Sequence, residues 1–442
     1  MKEYIKKIVE QSNAITCTDA IRLYDNEEYF CLYENGKEIS VGIGKYIEIY
    51  ATENFITIIS EKETIKKKIN DLCIDLKALL EGLEIEDWRM YGLANFSLAR
   101  YTYDLSLEPE TDALLHFFIP EKEYRINGNT VVLKSFTRDE IERMERRLDR
   151  VLCEKIGFPE DIKEKLEIAD SILNYDEDYY KKIVTTGVEE IRNNNYQKVI
   201  LSRKIPVDCK LDMFKTFVAG RAVNTPARSY ICKMDEMEVV GFSPETVTEI
   251  DRDGNVYTFP LAGTRALTKD VEENKRLREE LLHDTKEIAE HAVSVKLAAE
   301  ELQQICEEGT VMVTEFMSIM ERGTVQHLGS RLKGKMRKNF NSWHALCKLF
   351  PAVTASGIPK KQAIDAIGRI EKEPRGLYSG SVLITDQDGY MDAALVLRSI
   401  FQNEGNAWIR VGAGIVEMSN PEREFTETQE KVSSVATTLV SV

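Results

Sequence analysis

The sequence lacks any apolar run that approaches the roughly 20 residues needed to span a bilayer. Its first residues, MKEYIKKIVEQSN, contain neither the apolar stretch nor the cleavage site of a secretory signal peptide. We therefore predict a cytoplasmic protein that has no membrane partner.

The sequence is also poor in the spacings that mark thiol and histidine chemistry. Its eight cysteines form no CxxC pair, and they show no zinc-like spacing with the five histidines. The patterns GxSxG and HExxH, typical of serine hydrolases and zinc proteases, do not occur. We interpret the cysteines as reduced, mostly buried thiols of a cytosolic protein.

An excess of positive charge is absent as well. The 442 residues include 59 lysines and arginines against 75 aspartates and glutamates, which gives a formal net charge of −16. Nucleic-acid binding needs clustered basic side chains that neutralise phosphates, so a nucleic-acid partner is disfavoured. If the substrate is an anion, its pocket must be locally basic or must hold a metal ion.

The length of the chain predicts more than one small core, and its two parts differ in how sharply they are patterned. Residues 1–170 mix strand-like segments with helices, and residues 62–83 are predicted to form an amphipathic helix. Residues 171–442 have clearer patterns. Because the seam near 155–175 has no low-complexity linker, we expect an N-terminal lobe and a catalytic region that form one intertwined domain.

The C-terminal region alternates short strands and tight turns with long helices. The Asp-Gly pair at 253–254 is typical of a hairpin turn. Helical patterns cover about 270–306 and 421–437, and the second helix is predicted to begin with Asn420 as its N-cap and Pro421 in its first turn. Consecutive hairpins with helices between them favour an α+β fold over an alternating parallel α/β sheet.

Two pairs of glutamates share the same spacing on two distant helical segments. Glu287 and Glu290 lie in KEIAEHAVSVKLAAEEL, whereas Glu424 and Glu427 lie in PEREFTETQEKVSSVA. The i,i+3 spacing puts both carboxylates of a pair on one helix face. Two such helices facing each other would form an all-oxygen site suited to Mg²⁺. The alternative is that each pair lies on a solvated helix surface, as is common in acidic chains.

Two isolated polar residues are candidate acid–base groups. Lys198 lies in the apolar strand pattern KVILSR, where burial disfavours the ammonium form and would make the amine a general base. Glu245 follows a strand in GFSPET, and a carboxylic acid kept protonated in a shielded pocket can act as a general acid. The alternatives are an edge-strand lysine that reaches water and a glutamate in an ordinary turn.

Further segments offer groups that recognise an anionic ligand. In PLAGTRA, Gly263 permits close approach of the backbone to a ligand, and Thr264 adds a hydroxyl group. In RGLYSG and ALVLRS, Tyr378 and Arg398 are natural companions for binding a carboxylate. The alternatives are a plain turn at Gly263 and a structural ion pair at Arg398.

Taken together, these segments resemble the chorismate-utilising enzymes, a family that includes anthranilate, aminodeoxychorismate, isochorismate and salicylate synthases. The resemblance is dense from about residue 196 to the C-terminus and looser over residues 1–170. The segments that carry it are KVILSR, GFSPE, PLAGTRA, KEIAEH, VQHLGS, FPAVTASGIPK, RGLYSG, ALVLR and GAGIVEMSNPEREFTETQEK. Within the family, the chain looks most like the bacterial salicylate synthases of siderophore biosynthesis.

A few positions separate the subfamilies. Anthranilate synthases usually have a glutamine where this chain has Lys198, and aminodeoxychorismate synthases usually have a lysine where it has Ala262. Isochorismate synthases share the lysine but often depart from RGLYSG at the position of Tyr378. The resemblance implies conversion of chorismate to isochorismate and then to salicylate and pyruvate. The alternatives are an isochorismate synthase that releases the intermediate and an amine-transferring anthranilate synthase component.

The resemblance also implies a fold and a cofactor. Two packed antiparallel sheets with helices on the outside would leave the active site in a deep central cleft. Mg²⁺ would bind the ring carboxylate of chorismate and would be held by Glu290 and Glu427, with Glu287 and Glu424 close by. A glutaminase partner would not be needed, because water rather than ammonia would be the nucleophile.

The same resemblance assigns the remaining site residues. Tyr378, Arg398 and the backbone near Gly412 would hold the pyruvyl carboxylate of chorismate. Lys431 would add positive charge beside the metal ion. The positions that match residues lining the ring pocket are Gly263, Thr264 and His327.

Overall fold

The computed structural model describes residues 2–107, 113–154, 170–322 and 325–442. The seam expected between the two lobes falls largely on residues 155–169, which lie outside the described residues. Within the described ranges, no helix is both long and apolar enough to cross a membrane.

Strands make up much of the described chain, and β-branched and aromatic residues are frequent in them, as strand propensity favours. Their pairings are antiparallel, apart from one short parallel pair. In chain order the strands are β1 (Lys2–Glu3), β2 (Ile5–Glu10), β3 (Tyr29–Glu34), β4 (Ile39–Ala51), β5 (Phe55–Ser60), β6 (Thr64–Lys68), β7 (Ile85–Glu86), β8 (Arg89–Ala94), β9 (Leu115–Asn127), β10 (Thr130–Ser135), β11 (Lys198–Val207), β12 (Arg228–Met234), β13 (Met237–Ser243), β14 (Thr246–Ile250), β15 (Asn255–Thr258), β16 (Leu261–Ala266), β17 (Met312–Arg322), β18 (Val325–Lys335), β19 (Gly357–Ile358), β20 (Ser381–Asp386), β21 (Met391–Leu395), β22 (Ser399–Asn403) and β23 (Asn406–Ile415).

Helices connect or follow these strands, and several of them begin at a side chain that accepts hydrogen bonds from the first-turn N–H groups. Asp71, Asp284 and Asn420 are caps of this kind. In chain order the helices are α1 (Cys17–Ala20), α2 (Leu72–Glu81), α3 (Ser97–Thr102), α4 (Arg138–Cys153), α5 (Asp170–Leu173), α6 (Glu177–Arg192), α7 (Met213–Val223), α8 (Val271–His283), α9 (Thr285–Ile305), α10 (Ser342–Leu349), α11 (Lys360–Ile370) and α12 (Pro421–Ala436).

The strands of the described residues form one dominant sheet system. Twenty-one of them belong to a single hydrogen-bonded network, and β1 and β7 form a separate pair. Long ladders such as β4–β9 and β11–β23 give this network its frame. The predicted α+β class, with antiparallel strands and separate helices, is confirmed.

Buried apolar side chains fill three regions of the interior. Two of these regions lie between strands and helices: α2, α3, α6 and α9 to α11 cover one, and α1, α4 and α7 cover the other. The third contains side chains from strands and their connecting loops only, including Tyr91, Phe118, Tyr230 and Val382. Two layers of strands therefore pack face to face with helices outside. Each large apolar side chain buried in this way contributes about 1.5–3 kcal/mol to folding.

Strands of the two predicted lobes pair directly with each other. β3 pairs with β12 and β8 pairs with β20, each over six residue pairs. Cys31 and Cys232 face each other in the first pairing, with Cα atoms 4.2 Å apart, and form a disulfide. The prediction that all the cysteines are reduced is wrong at this pair, because only the folded pairing brings together two thiols that are 201 positions apart.

The predicted amphipathic helix over residues 62–83 is wrong in its first part. Residues Thr64–Lys68 form β6, which pairs with β5 as the second arm of a hairpin. The helix begins only after Asp71, whose carboxylate accepts a hydrogen bond from the N–H of Ile74 at 2.9 Å. The three consecutive lysines Lys66, Lys67 and Lys68 break the alternation typical of a strand, and it is the pairing with β5 that decides the conformation.

The predicted helix over about 270–306 is divided into α8 and α9 at Asp284. The Asp284 carboxylate accepts hydrogen bonds from the N–H groups of Lys286 and Glu287, at 3.0 and 3.2 Å. This cap starts a new helix and changes the direction of the chain. As a result, Glu287 and Glu290 lie in the first two turns of α9, at its end rather than along its length.

Candidate active site

Lys198 is the first residue of β11, and its side chain is buried, with 7% of the residue exposed. Its ammonium group contacts the carboxylate of Glu290 on α9. Gly414 on the neighbouring strand β23 leaves room for this side chain, since a Cβ atom there would lie 3.0 Å from the Cε atom of Lys198. The lysine is thus held inside the protein by an acidic partner, and its side chain does not extend to water.

The two glutamate pairs approach each other across this lysine. Burial raises the pKa of Glu427, but the charges of Lys431 and then Lys198 outweigh burial and hold that pKa below its usual value. Lys286 at the start of α9 likewise acts on the carboxyl group of Glu424 at the start of α12. Charged groups on α9, α12 and β11 therefore lie near enough to act on one another, and the convergence of the two glutamate pairs on one ion stays a prediction.

The carboxylates of this region repel one another. Burial and then the neighbouring Glu290 raise the pKa of Glu287. Burial raises the pKa of Glu424 as well, and Glu427 adds to this rise. Carboxylate oxygens are the ligands that Mg²⁺ prefers, and Lys198, Lys431 and Arg265 offset part of their negative charge here. Among the described residues, the groups whose ligand atoms all lie within 4.8 Å of one another do not include these four glutamates, so their joint binding of one ion stays a prediction.

Glu245 lies between β13 and β14 and is 4% exposed. Burial raises its pKa to about 8, although the Thr354 hydroxyl, the N–H of Leu261 and the charge of Lys198 all favour the ionised form. The Thr354 hydroxyl lies 2.9 and 2.8 Å from the two carboxyl oxygens. Glu245 is therefore mostly protonated near neutral pH and can donate a proton.

The segment 395–398 links three predicted site residues through its backbone. The N–H of Leu395 donates to the carbonyl of Glu245 at 3.0 Å, and the N–H of Ser379, next to Tyr378, donates to the carbonyl of Val396 at 3.0 Å. Arg398 ends the segment with a positive φ of 50°, a strained conformation for a residue with a side chain. This loop positions the candidate acid and the candidate carboxylate receptors relative to one another.

Gly263, Thr264, His327 and Arg398 form one connected group. Thr264 lies directly opposite His327 in the β16–β18 ladder, and Gly263 is the bulged residue before it, with φ of 72°. The Nδ1 atom of His327 lies 3.2 Å from the carbonyl of Gly263 and 3.0 Å from the Thr264 hydroxyl. Because a carbonyl only accepts, Nδ1 carries the proton.

This tautomer leaves the other ring nitrogen of His327 as an acceptor. The guanidinium of Arg398 lies 3.5 Å from that Nε2 atom. The bulge also connects this group to the carboxylates, since a Cβ atom on Gly263 would lie 3.1 Å from a carboxyl oxygen of Glu287. The structure therefore brings the predicted ring-pocket residues next to the predicted metal ligands.

Gly412 and Lys431 meet beside the second glutamate pair. The ammonium group of Lys431 donates to the carbonyl of Gly412 at 2.8 Å and to the carboxylate of Glu427 at 2.7 Å. Glycine is required at 412 because a Cβ atom there would lie 2.5 Å from the carbonyl oxygen of Leu201 on β11. Lys431 thus places positive charge beside Glu427, and its role next to a metal ion stays a prediction.

Tyr378 is buried beneath two arginines. Burial raises the pKa of its phenol to about 12. The guanidinium carbons of Arg375 and Arg410 lie 5.6 and 5.9 Å from the centre of its ring. The predicted pairing of the Tyr378 and Arg398 side chains around one carboxylate stays a prediction.

Sequence reasoning missed several residues that position the site. Thr354 lies within FPAVTASGIPK and Arg375 opens RGLYSG, so the segments were noticed while these roles were not. The guanidinium groups of Arg375 and Arg410 both bind the buried carboxylate of Glu371, at 2.6 and 2.7 Å. Glu371 in turn accepts from the N–H of Ser202 on β11 at 2.7 Å. A charge within an apolar strand pattern was an available signal for Arg410 alone, in NAWIRVGAGI.

Comparison with known proteins agrees with this geometry. A family model described as chorismate binding enzyme matches residues 27–437. The chain belongs to the chorismate-binding enzymes. The match begins well inside the N-terminal lobe, so both parts of the chain are included in this family, and the resemblance inferred from the sequence segments is confirmed.

Individual members of the chorismate-binding enzymes are similar over nearly the whole chain. A salicylate synthase of Mycolicibacterium paratuberculosis is 39% identical over 94% of this chain and 90% of its own length. The crystal structure of anthranilate synthase component I from Streptococcus pneumoniae TIGR4 superposes with a TM-score of 0.74 at 25% identity, covering 91% of this chain and 93% of its own. The menaquinone-specific isochorismate synthase from Escherichia coli shares the fold, with a TM-score of 0.75 at 21% identity over 98% and 94% of the two chains.

Proposed function

We propose that this chorismate-binding enzyme is a salicylate synthase that converts chorismate to isochorismate and then to salicylate and pyruvate. The observation that carries the proposal is a buried lysine whose charge acts on a buried carboxyl group with a raised pKa. Lys198 lies among acidic groups at the start of β11, and its charge acts on Glu245, whose pKa is about 8. The similarity to a salicylate synthase over nearly the full length of both chains supports the choice within the family.

The first step of the proposed reaction needs one base and one acid. Lys198, in its neutral form, takes a proton from a water molecule as the water oxygen bonds to C2 of chorismate. The ring double bonds shift, the C4–O bond breaks, and Glu245 donates its proton to the departing hydroxyl, which leaves as water. General acid–base groups of this kind typically contribute about 10²–10⁴-fold each to the rate.

The anionic groups of the substrate are held by the cationic side of the site. We assign the pyruvyl carboxylate to Arg398, Tyr378 and the backbone near Gly412. We assign His327, whose Nε2 atom lies 3.5 Å from a guanidinium nitrogen of Arg398, to the ring pocket together with Gly263 and Thr264. Precise positioning is the main contribution of these groups, because oriented reactants avoid much of the entropic cost of reaching the transition state.

The carboxylates of Glu287, Glu290, Glu424 and Glu427 are proposed to hold Mg²⁺, with Lys431 beside them. When bound, the ion supplies positive charge that neutralises the ring carboxylate of the substrate. Glu290 contacts Lys198 in the structure described here.

The second step of the proposed reaction requires no external base. The hydrogen at C2 of isochorismate moves to the methylene carbon of the enolpyruvyl group while the C3–O bond breaks. The ring becomes aromatic and pyruvate leaves. All atoms and electrons of both products come from isochorismate itself. The protein must fold the side chain over the ring, which is again a positioning task.

We also propose a cellular location, a pathway and an independence from partners for the enzyme. We place the enzyme in the cytoplasm and its product in siderophore biosynthesis, and we expect activity without a glutaminase partner. We also propose that residues 1–170 and 171–442 form one domain, because strands from both parts pair in one network.

Product analysis tests the proposal directly. Purified protein incubated with chorismate and Mg²⁺ should yield salicylate, which is fluorescent, together with an equal amount of pyruvate. Accumulation of isochorismate without pyruvate would show an isochorismate synthase instead. Formation of anthranilate in the presence of ammonium would indicate an amine-transferring enzyme, and no turnover of chorismate would overturn the assignment to this enzyme class.

A further inference from the structure

A second group of potential metal ligands lies outside the candidate active site. One ligand atom from each of Asp71, Cys73 and His344 lies within 4.8 Å of the other two. Asp71 is exposed, Cys73 is buried and His344 is half-buried. The three residues come from the start of α2 and from α10, so the chain brings them together only by folding.

Cys347 lies beside this group. Its thiol interacts with that of Cys73, and both cysteines are free in the structure. His344 and Cys347 are three positions apart on α10, so the helix presents both side chains on one face. With Cys347 added, the group would offer two thiols, one imidazole and one carboxylate, which is the number and type of ligand found in tetrahedral zinc sites.

The site also has a route to solvent. These four residues line a cleft of about 880 Å³ whose wall includes Tyr101. Because none of the predicted active-site residues lines this cleft, an ion bound there would be separate from the catalytic carboxylates. The cleft would let a hydrated ion enter without unfolding the core.

We propose that Asp71, Cys73, His344 and Cys347 form a binding site for a thiophilic divalent cation, with Zn²⁺ as the best match. Thiolate and imidazole ligands select zinc over magnesium, which prefers oxygen. Two thiolates and one carboxylate around a dication leave one net negative charge. The N-terminal end of α2, capped by Asp71, favours a net negative charge at this place.

The described residues contain one more group of potential metal ligands, and its contacts support the choice of the group around Cys73. Glu48, His116 and Asp235 also lie close together, but Glu48 is already bound by the ammonium group of Lys45 at 2.7 Å and by the hydroxyl of Tyr29 at 2.8 Å. An internal cation thus neutralises that group. The group around Cys73 contains softer ligands, and the carboxylate of Asp71 is solvent-accessible.

Zinc binding would change one hydrogen bond of α10. The Nδ1 atom of His344 accepts from the N–H of Asn341 at 3.2 Å and so caps the helix. Coordination through Nε2 moves the ring proton to Nδ1, and this capping bond is then lost. In return, the ion would join α2 of the N-terminal lobe to α10 of the catalytic region.

The test uses the full-length protein, purified under reducing conditions and stripped with a chelator. Zinc is titrated in the presence of excess Mg²⁺, which occupies oxygen-rich sites, and bound zinc is measured by mass spectrometry. We expect about one tightly bound zinc ion per chain. The variant Cys73→Ser/Cys347→Ser should bind zinc at least tenfold more weakly, since loss even of an outer-sphere partner of a zinc ligand costs about 10–100-fold. The matched control Cys153→Ser/Cys209→Ser should bind as the parent does.

Cobalt substitution and peptide mapping provide two further tests of the proposed zinc site. Cobalt substitution of the unmodified protein should produce thiolate-to-cobalt charge-transfer absorption, and this band tests the site even if the double variant fails to fold. Equal zinc binding by the double variant and its control, absence of the cobalt band, or a Cys73–Cys347 disulfide in peptide maps of the reduced preparation would each overturn the proposal.

Discussion

The ammonium group of Lys198 contacts the carboxylate of Glu290, although 92 positions separate the two residues in the chain. The contact joins the first residue of a central strand to the first turns of a helix. It places the candidate base against a candidate metal ligand. The proposed acid–base function and the proposed metal function therefore share this contact.

Replacing Lys198 by alanine tests the base. We expect Lys198→Ala to lower chorismate turnover by about 10²–10⁴-fold, because no other group takes the proton from water. Added isochorismate should still be converted to salicylate, because that step needs no base. Both rates are followed by salicylate fluorescence. Lys204→Ala, on the same strand but at a half-exposed position, is the control, and a near-normal chorismate rate in Lys198→Ala would refute the assignment.

Glu245 should make stability depend on pH. Its folded-state pKa of about 8 lies above the unfolded value, so between the two values the folded state holds a proton that the unfolded state has released. The free energy of unfolding therefore falls as pH rises through this window. Glu245→Gln removes this penalty, and the variant should be more stable than the parent near pH 9 by a few kcal/mol, at about 1.4 kcal/mol per pKa unit. Urea unfolding near pH 5 and pH 9 measures the difference.

The exposed Glu236 provides the control for this prediction. Glu236→Gln should show no gain that depends on pH, and Glu245→Gln should also lose chorismate turnover. If Glu245→Gln and Glu236→Gln gave the same pH profile of stability, the raised pKa of Glu245 would be wrong.

Thr354 is expected to adjust the pKa of Glu245 without taking part in the reaction itself. Its hydroxyl favours the ionised form of Glu245, so Thr354→Val is expected to raise the pKa of Glu245 further. The alkaline fall in activity should then move to higher pH, as measured by the pH profile of kcat/KM. Thr354→Ser keeps the hydroxyl and should keep the parental profile. Coincident profiles for the valine and parental enzymes would show that Thr354 does not tune the acid.

The glutamate pairs should govern metal dependence. Glu290→Gln and Glu427→Gln are each expected to raise the Mg²⁺ concentration needed for half-maximal activity by at least tenfold, because each removes a charged oxygen ligand. Glu430→Gln, an exposed position on the same helix as Glu427, should leave this concentration unchanged. A chelator should abolish activity and Mg²⁺ should restore it. Full activity in excess chelator would contradict the carboxylate site.

Alanine substitutions at two glycines distinguish the effect of backbone strain from the effect of crowding in the site. Gly263 and Gly254 both have positive φ, at 72° and 75°, so alanine at either position should cost about 1–2 kcal/mol of stability. Only at Gly263 does the new Cβ atom approach Glu287, at 3.1 Å, whereas nothing lies within 4 Å of it at Gly254. Gly263→Ala should lose turnover as well, and Gly254→Ala should not. Equal activities would mean that the bulge does not shape the site.

Local signals allowed much of the fold to be predicted. Asn420 caps α12 as expected, accepting from the N–H groups of Glu422 and Arg423 at 3.0 and 3.3 Å. Caps and turn residues act within a few positions, so their physics is visible in a short window of sequence. The same holds for the i,i+3 spacing of the glutamates.

Long-range pairing decided what could not be predicted. β6 was mistaken for helix because its partner strand, rather than its own composition, fixes its conformation. Neither the Cys31–Cys232 bond nor the hydrogen bonds of Thr354 to Glu245 follow from local spacing, since their partners are 201 and 109 positions away. The raised pKa of Glu245 depends on burial, which only the packed structure defines.

The strand pairings between β3 and β12 and between β8 and β20 have a practical consequence for dissecting the molecule. Fragments cut between residues 154 and 170 would each expose unpaired sheet edges, which favour aggregation. Neither half should behave as an independent module when expressed alone. Co-expressed halves, in contrast, can restore each other's missing edges, so fragment complementation is the suitable format for engineering one lobe while keeping the other constant.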